Sequence, residues 1–474
     1  MHYQRGQSRS QVSFFPEALD ELLPIDHPVR VIDLFVEQLD LTALGFSKVK
    51  LAAKGRPPYH PADLLKLYLY GYLNRVRSSR RLEAECQRNI EVMWLLNRLA
   101  PDHKTIANFR KDQGKGIQAV CRAFVQFCRK AKLISGALVA IDGSKFQAVA
   151  SPSKAVSIKQ LEQQQTQLDD RIARYLTELD QADQAEGEVL DRQRVEAALQ
   201  QLRSMQDDLA TRILLLEEMG LNQHVEGEPE AQLMRDGQKR IVPAYNVQSV
   251  VDEKHKLIVH HEVVNETSDQ NQLLPMATAS KAVLEQDQLT VVADAGYSNG
   301  EHLTGCEGAD ITTYVALNRG VNNQGDGTLF DRSLFRYDAQ QDCYHCPADQ
   351  LLVRKQINRS KRVVVYQGIA CGACPIKSQC TQAEQRQIRR HFDEEAFART
   401  QSRLEANPEI MRQRKAIVEH PFGNLKRWIM GDGRFLLRGL QGAQTESALA
   451  ILSYNLRRVL NILGVAQTRR LLMT

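Results

Sequence analysis

Three carboxylates stand where this sequence could do metal chemistry. Asp142 ends or interrupts the β-branched run ALVAIDGSKFQAVA, and Asp294 follows the apolar run LTVVA. Glu419 lies in RQRKAIVEHPFGNLKRW, which has helical character despite Pro421. Taken singly, an Asp at a strand end is usually a turn or cap residue. Taken together, a central strand carrying Asp142, a neighbouring strand ending at Asp294 and a helix laid against the sheet can gather all three. Such carboxylates repel one another unless cations offset them, so the cluster implies divalent ions, and hard oxygen ligands select Mg2+ or Mn2+. Two such ions ~4 Å apart activate a hydroxyl nucleophile and stabilise the leaving oxygen in phosphodiester displacement. Lys426 falls seven residues after Glu419, ~10 Å along the same helix face, and can meet a flanking phosphate. Arg427, Arg434 and Arg438 extend a cationic surface suited to tracking a nucleic-acid backbone, although solubility alone also accounts for them.

A second constellation is made of sulfur. Of nine cysteines, Cys86, Cys121, Cys128 and Cys306 are scattered and read as small core residues, whereas Cys343, Cys346, Cys371, Cys374 and Cys380 crowd into one stretch. Two thiol pairs with two-residue gaps are a strong zinc signal, because each pair wraps one edge of a tetrahedron. Four sulfurs leave no open position for water, so this zinc is expected to be structural and to hold together a segment with little apolar core. Cys343, Cys346, Cys371 and Cys374 are the paired set, with Cys380 the spare.

The elements that must position these groups are partly legible. With 474 residues, 43% apolar and 25% charged, the chain has the composition of a globular protein of two to four units. The first third reads as helices. HPADLLKLYLYGYL and SSRRLEAECQRNIEVMWLLNRL carry apolar residues at helical spacing, and Asp102 is a plausible N-cap for a short helix to Asp112 that exposes Lys104, Asn108, Arg110 and Lys111. Helix, turn and basic helix is how a major-groove reader is built. Strands follow at Asp142, in a hairpin around Asp252 to Lys256, before Asp294 and in ITTYVALN, giving a mixed α/β sheet if residues 151–230 are an insertion. In that insertion Leu161, Leu168, Ile172, Tyr175 and Leu179, then Val195, Leu199, Leu202, Leu209, Ile213 and Leu216, alternate spacings of three and four, with Gln206 in one slot. Two long helices paired as a hairpin around Gly187 are expected.

Charge is divided along the chain. Lys48 to Lys132 holds 19 Lys/Arg against 6 Asp/Glu, while Ala155 to Glu230 holds 7 against 17. The first segment suits a polyanion and the second repels one. No run of ~18 apolar residues exists, and the opening MHYQRGQSRSQ has no apolar signal region, so a cytoplasmic protein without a membrane span is expected.

These residues resemble bacterial insertion-sequence transposases of the DDE class, which have an RNase H-like catalytic core. The resemblance rests on FFPEALDELLPIDHPVRVID and KGRPPYHPADLLKLYLYGYLNRVRSSRRLEAE, on IDGSKFQA and VVADAGYSNGEHL, on CPAD with CGACPIKSQC, and on VEHPFGNLKRW with FLLRGL. It implies that Asp142, Asp294 and Glu419 form the metal-binding triad and that the front domain binds the element's terminal inverted repeats. Arg414 and Lys426 fit the Arg and Lys that flank the family's Glu, while Met411 stands at its Tyr position. The implied organisation is a helical DNA-binding domain (1–136), an RNase H-like domain (137–150, 231–330 and 385–474), a helical hairpin insertion (151–230) and a zinc-binding insertion (331–384). The expected activity is metal-assisted hydrolysis at element ends followed by strand transfer into target DNA, by a homodimer acting at the nucleoid. A regulator that keeps the fold without catalysis is the rival of another class, disfavoured because all three carboxylates and Lys426 are present. A sequence-independent nuclease is disfavoured by the basic front segment.

Overall fold

The computed structural model describes residues 18–47, 49, 57–184, 192–218, 220, 222–317 and 329–473, with side chains of the long helical pair described up to 177 and from 197. Six helices come first: α1 (Val29–Glu37), α2 (Pro61–Leu73), α3 (Ser79–Arg88), α4 (Ile90–Leu95), α5 (His103–Asp112) and α6 (Gly114–Lys130). Proline suits the first position of α2, where its missing N–H costs nothing, and the His60 ring accepts the N–H of Ala62. Nearly every α2 side chain is buried, so this helix is the hub of the front unit. Its one buried cation, Lys66, is held by Asp33 at 2.7 Å and by Glu37. Asp102 caps α5 as its residue type predicts, accepting the N–H groups of Lys104 and Thr105.

The six-stranded sheet begins with β1 (Leu138–Gln147). After it come β2 (Ala155–Ser157), the helical pair α7 (Ile158–Gln184) and α8 (Arg192–Glu218), β3 (Gln223–Val225), β4 (Gln232–Arg235), β5 (Ile241–Asp252) and β6 (Ile258–Val264). Then follow α9 (Leu273–Leu284), β7 (Leu289–Ala293), α10 (Gly300–Gly308) and β8 (Ile311–Val315). Strand order is β4-β5-β1-β7-β8, with β6 also beside β5. β1 runs antiparallel to β5, Asp142 facing Ser249, and parallel to β7, Ala140 facing Val292. This is the mixed α/β, RNase H-like arrangement expected, with Asp142 on the central strand. The insertion is a hairpin whose β2–β3 pair forms its base. Leu161, Leu168, Leu199, Leu202 and Leu216 are buried in its seam, and Gln206 donates to Asp169 at 2.6 Å across it. Gly187, Leu179 and Val195 lie outside the residues, or the side chains, described.

The cysteine-bearing insertion departs from expectation. It contains β9 (Arg336–Asp338), β10 (Cys343–His345), β11 (Leu351–Asn358), β12 (Val363–Gly368), the single turn α11 (Lys377–Cys380) and β13 (Gln387–His391). The five strands form one antiparallel sheet, and β13 falls beyond residue 384. Phe335, Tyr344, Leu352, Tyr366, Cys380 and Ile388 give it an apolar core of its own, with Tyr344 and Tyr366 edge to face at 5.2 Å.

Three helices close the chain: α12 (Glu394–Ala406), α13 (Ile410–Gly423) and α14 (Gly439–Leu472), the last interrupted at Gly464, where φ is +72°. α13 lies against β1 and β7, and α14 lies against α2, α6 and β6. Asn455 of α14 accepts the N–H of Ile258 and donates to its carbonyl, so the helix completes the hydrogen bonding of β6 from the side. The front helices and the sheet therefore share one continuous core.

Candidate active site

The sheet brings Asp142 and Asp294 to one edge. Asp142 sits in mid-β1, and Asp294 follows β7, where its side chain accepts the N–H of Gly296 and caps the turn. Arg414 of α13 joins them: its Nη2 lies 3.2 Å from Asp142 Oδ1 and 3.0 Å from Asp294 Oδ2. Burial pushes the Asp142 carboxyl from its ordinary 3.8 up to about 6; Arg414 opposes the rise, and the charges of Asp294 and Asp269 add to it.

Glu419 is not drawn into this pair. It is exposed, its nearest cation is Lys415 at 3.7 Å, and among the described residues no three His, Cys, Asp or Glu side chains stand close enough to share an ion. Five residues along an α-helix turn a side chain about 140°, so α13 presents Arg414 to the carboxylates and Glu419 to solvent. Lys426 falls in a wider π-turn from Asn424 to Ile429, after Pro421, which breaks the simple helical spacing assumed from sequence. Its Nζ lies 5.0 Å from the Phe146 ring centroid, and burial pulls its pKa down while the charges of Asp236 and Asp142 oppose that. A cation of the expected type thus stands over Phe146 of β1, the strand that carries Asp142.

A second layer stands behind this pair. Asp269, in the loop after β6, accepts from Asn246 at 2.6 Å, Gln248 at 2.7 Å and Lys145 at 3.2 Å. Asn246 and Gln248 are buried polar residues of β5 and so require partners. The only available signal was that β5 carries amides in an otherwise apolar run.

The expected DNA-contacting residues divide. Lys104, Asn108 and Lys111 are exposed on α5, and Arg427, Arg434 and Arg438 are exposed near the start of α14. Arg434 donates to the carbonyl of Val149 at 2.9 Å. Arg110 is buried, which corrects its reading as an exposed contact. It shares the inner stripe of α5 with Ile106, its guanidinium donates to the Arg77 carbonyl at 3.2 Å, and Glu446 is among the charges that hold it protonated. Arg77 in turn lies 3.6 Å from the buried Glu446.

Among the cysteines, Cys346, Cys371, Cys374 and Cys380 line one cavity of about 20 Å3, and Cys343 does not. Cys343 is buried on β10, its Sγ 3.9 Å from Gln341 Oε1. The N–H of Gln350 points at Cys346 Sγ, 3.3 Å away, and that of Arg386 at Cys371 Sγ, 3.4 Å away, the second-layer contacts that thiolates favour. Burial raises the Cys380 thiol, Arg386 opposes this, and Cys371, Cys346 and Cys374 add to it. The four share a space without converging to coordinating distance. Cys86, Cys121, Cys128 and Cys306 are buried free thiols, as expected.

Two family models match the sequence: a transposase domain over residues 17–112 and a transposase DDE domain over residues 222–456. The chain belongs to the DDE-class transposases. This transposase is therefore an enzyme that cuts and transfers DNA strands, its partners are DNA, and its family works with divalent metal ions. No curated protein matches the sequence. Among solved structures it is similar to a cryo-EM structure of the piggyBac transposase synaptic complex with hairpin DNA, at 10% identity, covering 95% of this chain and 80% of that one with a TM-score of 0.32. That superposition is too loose to set residues against one another. Among the described residues no helix is long and apolar enough to cross a membrane.

Proposed function

We propose that this transposase cuts element ends by hydrolysis and joins the freed 3′-OH to target DNA, with Asp142 and Asp294 as the paired ion-holding carboxylates and with Glu419, which α13 turns to solvent in the DNA-free chain, joining them only in the DNA complex. The observation that carries the reading is the single Arg414 nitrogen held by both Asp142 and Asp294. Two hard, half-buried carboxylates aimed at one positive atom suit a divalent cation, for which the guanidinium stands in. Mg2+ or Mn2+ bound there would activate the attacking hydroxyl and stabilise the leaving oxygen. Lys426 holds a flanking phosphate, and Lys104, Asn108, Lys111, Arg414, Arg434 and Arg438 contribute to gripping DNA. Two element ends call for two copies, so the working form is a homodimer on DNA at the nucleoid. Asp142→Asn, Asp294→Asn and Glu419→Gln should each abolish strand cleavage while leaving end binding intact. Metal-dependent cleavage surviving all three changes defeats the assignment.

The cysteine insertion is read as a structural zinc site made by Cys346, Cys371, Cys374 and Cys380. Their shared cavity, near the minimum that holds one water, and the N–H groups aimed at two of the sulfurs support it.

A further inference from the structure

Asp269 is absent from the triad, yet it sits against β1, the strand of Asp142, and against the neighbouring β5. Its Oδ1 takes three hydrogen bonds, from Lys145 on β1 and from Asn246 and Gln248 on β5. Gln248 in turn accepts the buried hydroxyl of Tyr297, which lies just past Asp294. The frame closes over Gly143, the residue after Asp142. A Cβ there would stand 2.4 Å from Gln248 Nε2 and 2.7 Å from Asp269 Oδ1, so only glycine lets the carboxylate approach β1 this closely. On the other side, a Cβ on Gly296 would be 2.9 Å from Asp294 Oδ1 and 3.8 Å from Asp269 Oδ2. Gly296 therefore lies between the carboxylates of Asp294 and Asp269. Asn246, fully buried, also leaves its Oδ1 without a hydrogen-bond partner, 3.1 Å from the same Gly143 point.

We propose that Asp269 is a positioning residue of the transposition site, whose Oδ1 fixes Lys145 and the β5 amides beside Asp142 while its charge joins those of Asp142 and Asp294 in drawing divalent cations. Mg2+ keeps several of its waters when bound, and a carboxylate one layer out holds such waters without touching the ion. Lys145 partly neutralises Asp269, so the two residues act on cation affinity with opposite sign. A merely structural role gives no such opposition.

The inference rests on Asp142 and Asp294 as the ion-holding pair, and the experiment separates the two. Mn2+ binding to the full-length protein without DNA is measured by electron paramagnetic resonance for the wild type, Asp142→Asn, Asp269→Asn and Lys145→Met. Single-turnover cleavage of element-end DNA is measured across Mn2+ concentrations. Asp269→Asn is expected to weaken Mn2+ binding about five- to tenfold, leave end-DNA affinity unchanged and regain cleavage at saturating Mn2+. Lys145→Met is expected to tighten Mn2+ binding severalfold. An Asp269→Asn protein within twofold of wild type overturns the proposal, and so does a Lys145→Met protein that binds Mn2+ no more tightly than wild type. If Asp269→Asn does not fold, the Lys145→Met result alone decides. Mn2+ binding that survives Asp142→Asn unchanged defeats the paired-carboxylate reading itself; loss there with none in Asp269→Asn defeats only the role of Asp269.

Discussion

Arg414 donates to Asp142 across 3.2 Å although 272 positions separate them in the chain. A cation built into the protein therefore occupies the angle between two carboxylates, and it competes with any ion that binds there. Arg414→Ala is expected to tighten Mn2+ binding to the DNA-free protein by roughly tenfold, because attraction between unit charges at this range is worth a few kcal/mol even in a partly screened site. Titration by calorimetry or electron paramagnetic resonance reads this directly, and an unchanged affinity would show that the guanidinium and the ion do not share a place.

Asp142 also costs the fold something. Its native pKa, about 6, lies above the ordinary 3.8, so the folded chain binds a proton more tightly than the unfolded one. The ionised carboxylate then destabilises the protein at neutral pH, and the cost fades as pH falls from about 6 toward 4. Asp142→Asn should stabilise the metal-free protein by about 2–3 kcal/mol at pH 7.5 and by little at pH 4. Urea unfolding at the two pH values tests the sign, and a variant no more stable than wild type at pH 7.5 rejects it.

The two halves of the α5 basic face should respond differently to substitution. Lys104→Ala and Lys111→Ala remove exposed cations, so each should weaken end binding and lower the salt dependence by about one counterion, with unfolding unchanged. Arg110→Ala leaves Glu446 buried with one fewer partner, so it should destabilise the protein by about 3–5 kcal/mol. Paired melting and salt-titration curves decide; a destabilised Lys104 variant or an Arg110 variant of normal stability contradicts the division.

Metal analysis of the purified chain should find one zinc. Cys343→Ser should retain it, whereas Cys346→Ser, Cys371→Ser, Cys374→Ser and Cys380→Ser should each lose most of it and lower the melting temperature of the five-stranded insertion. Equal loss in the Cys343 variant would restore the paired set read from spacing.

The strands at Asp142 and Asp294 were legible because β-branched runs bounded by turns carry a period of two, and the α5 cap because Asp102 is the residue type that satisfies two orphan N–H groups. Arg110 has the charge of an exposed contact, but Ile106 four residues earlier places it on the inner stripe. Within the cysteine insertion, β11 reads LLVRKQIN, too charged and too exposed to show alternation, so the sheet had no sequence signature. Asp269 lies in the polar run NETSDQNQ, where nothing periodic singles it out. Only the register that sets Asn246 and Gln248 of β5 beside β1 gives it a place. Glu419 is read from its helical segment and Arg414 from the family's spacing, whereas the helix turn that sends them in different directions is a property of the folded chain.

Because α14 walls both the front helices and the sheet, the front half shares its interior with the last helix of the chain. A gene copy that lost its 3′ end before codon 439 is expected to yield neither enzyme nor a shortened repressor, if the front helices are what occupies the element's ends. Such a lesion silences the element in one step instead of leaving behind a competitor of its intact copies.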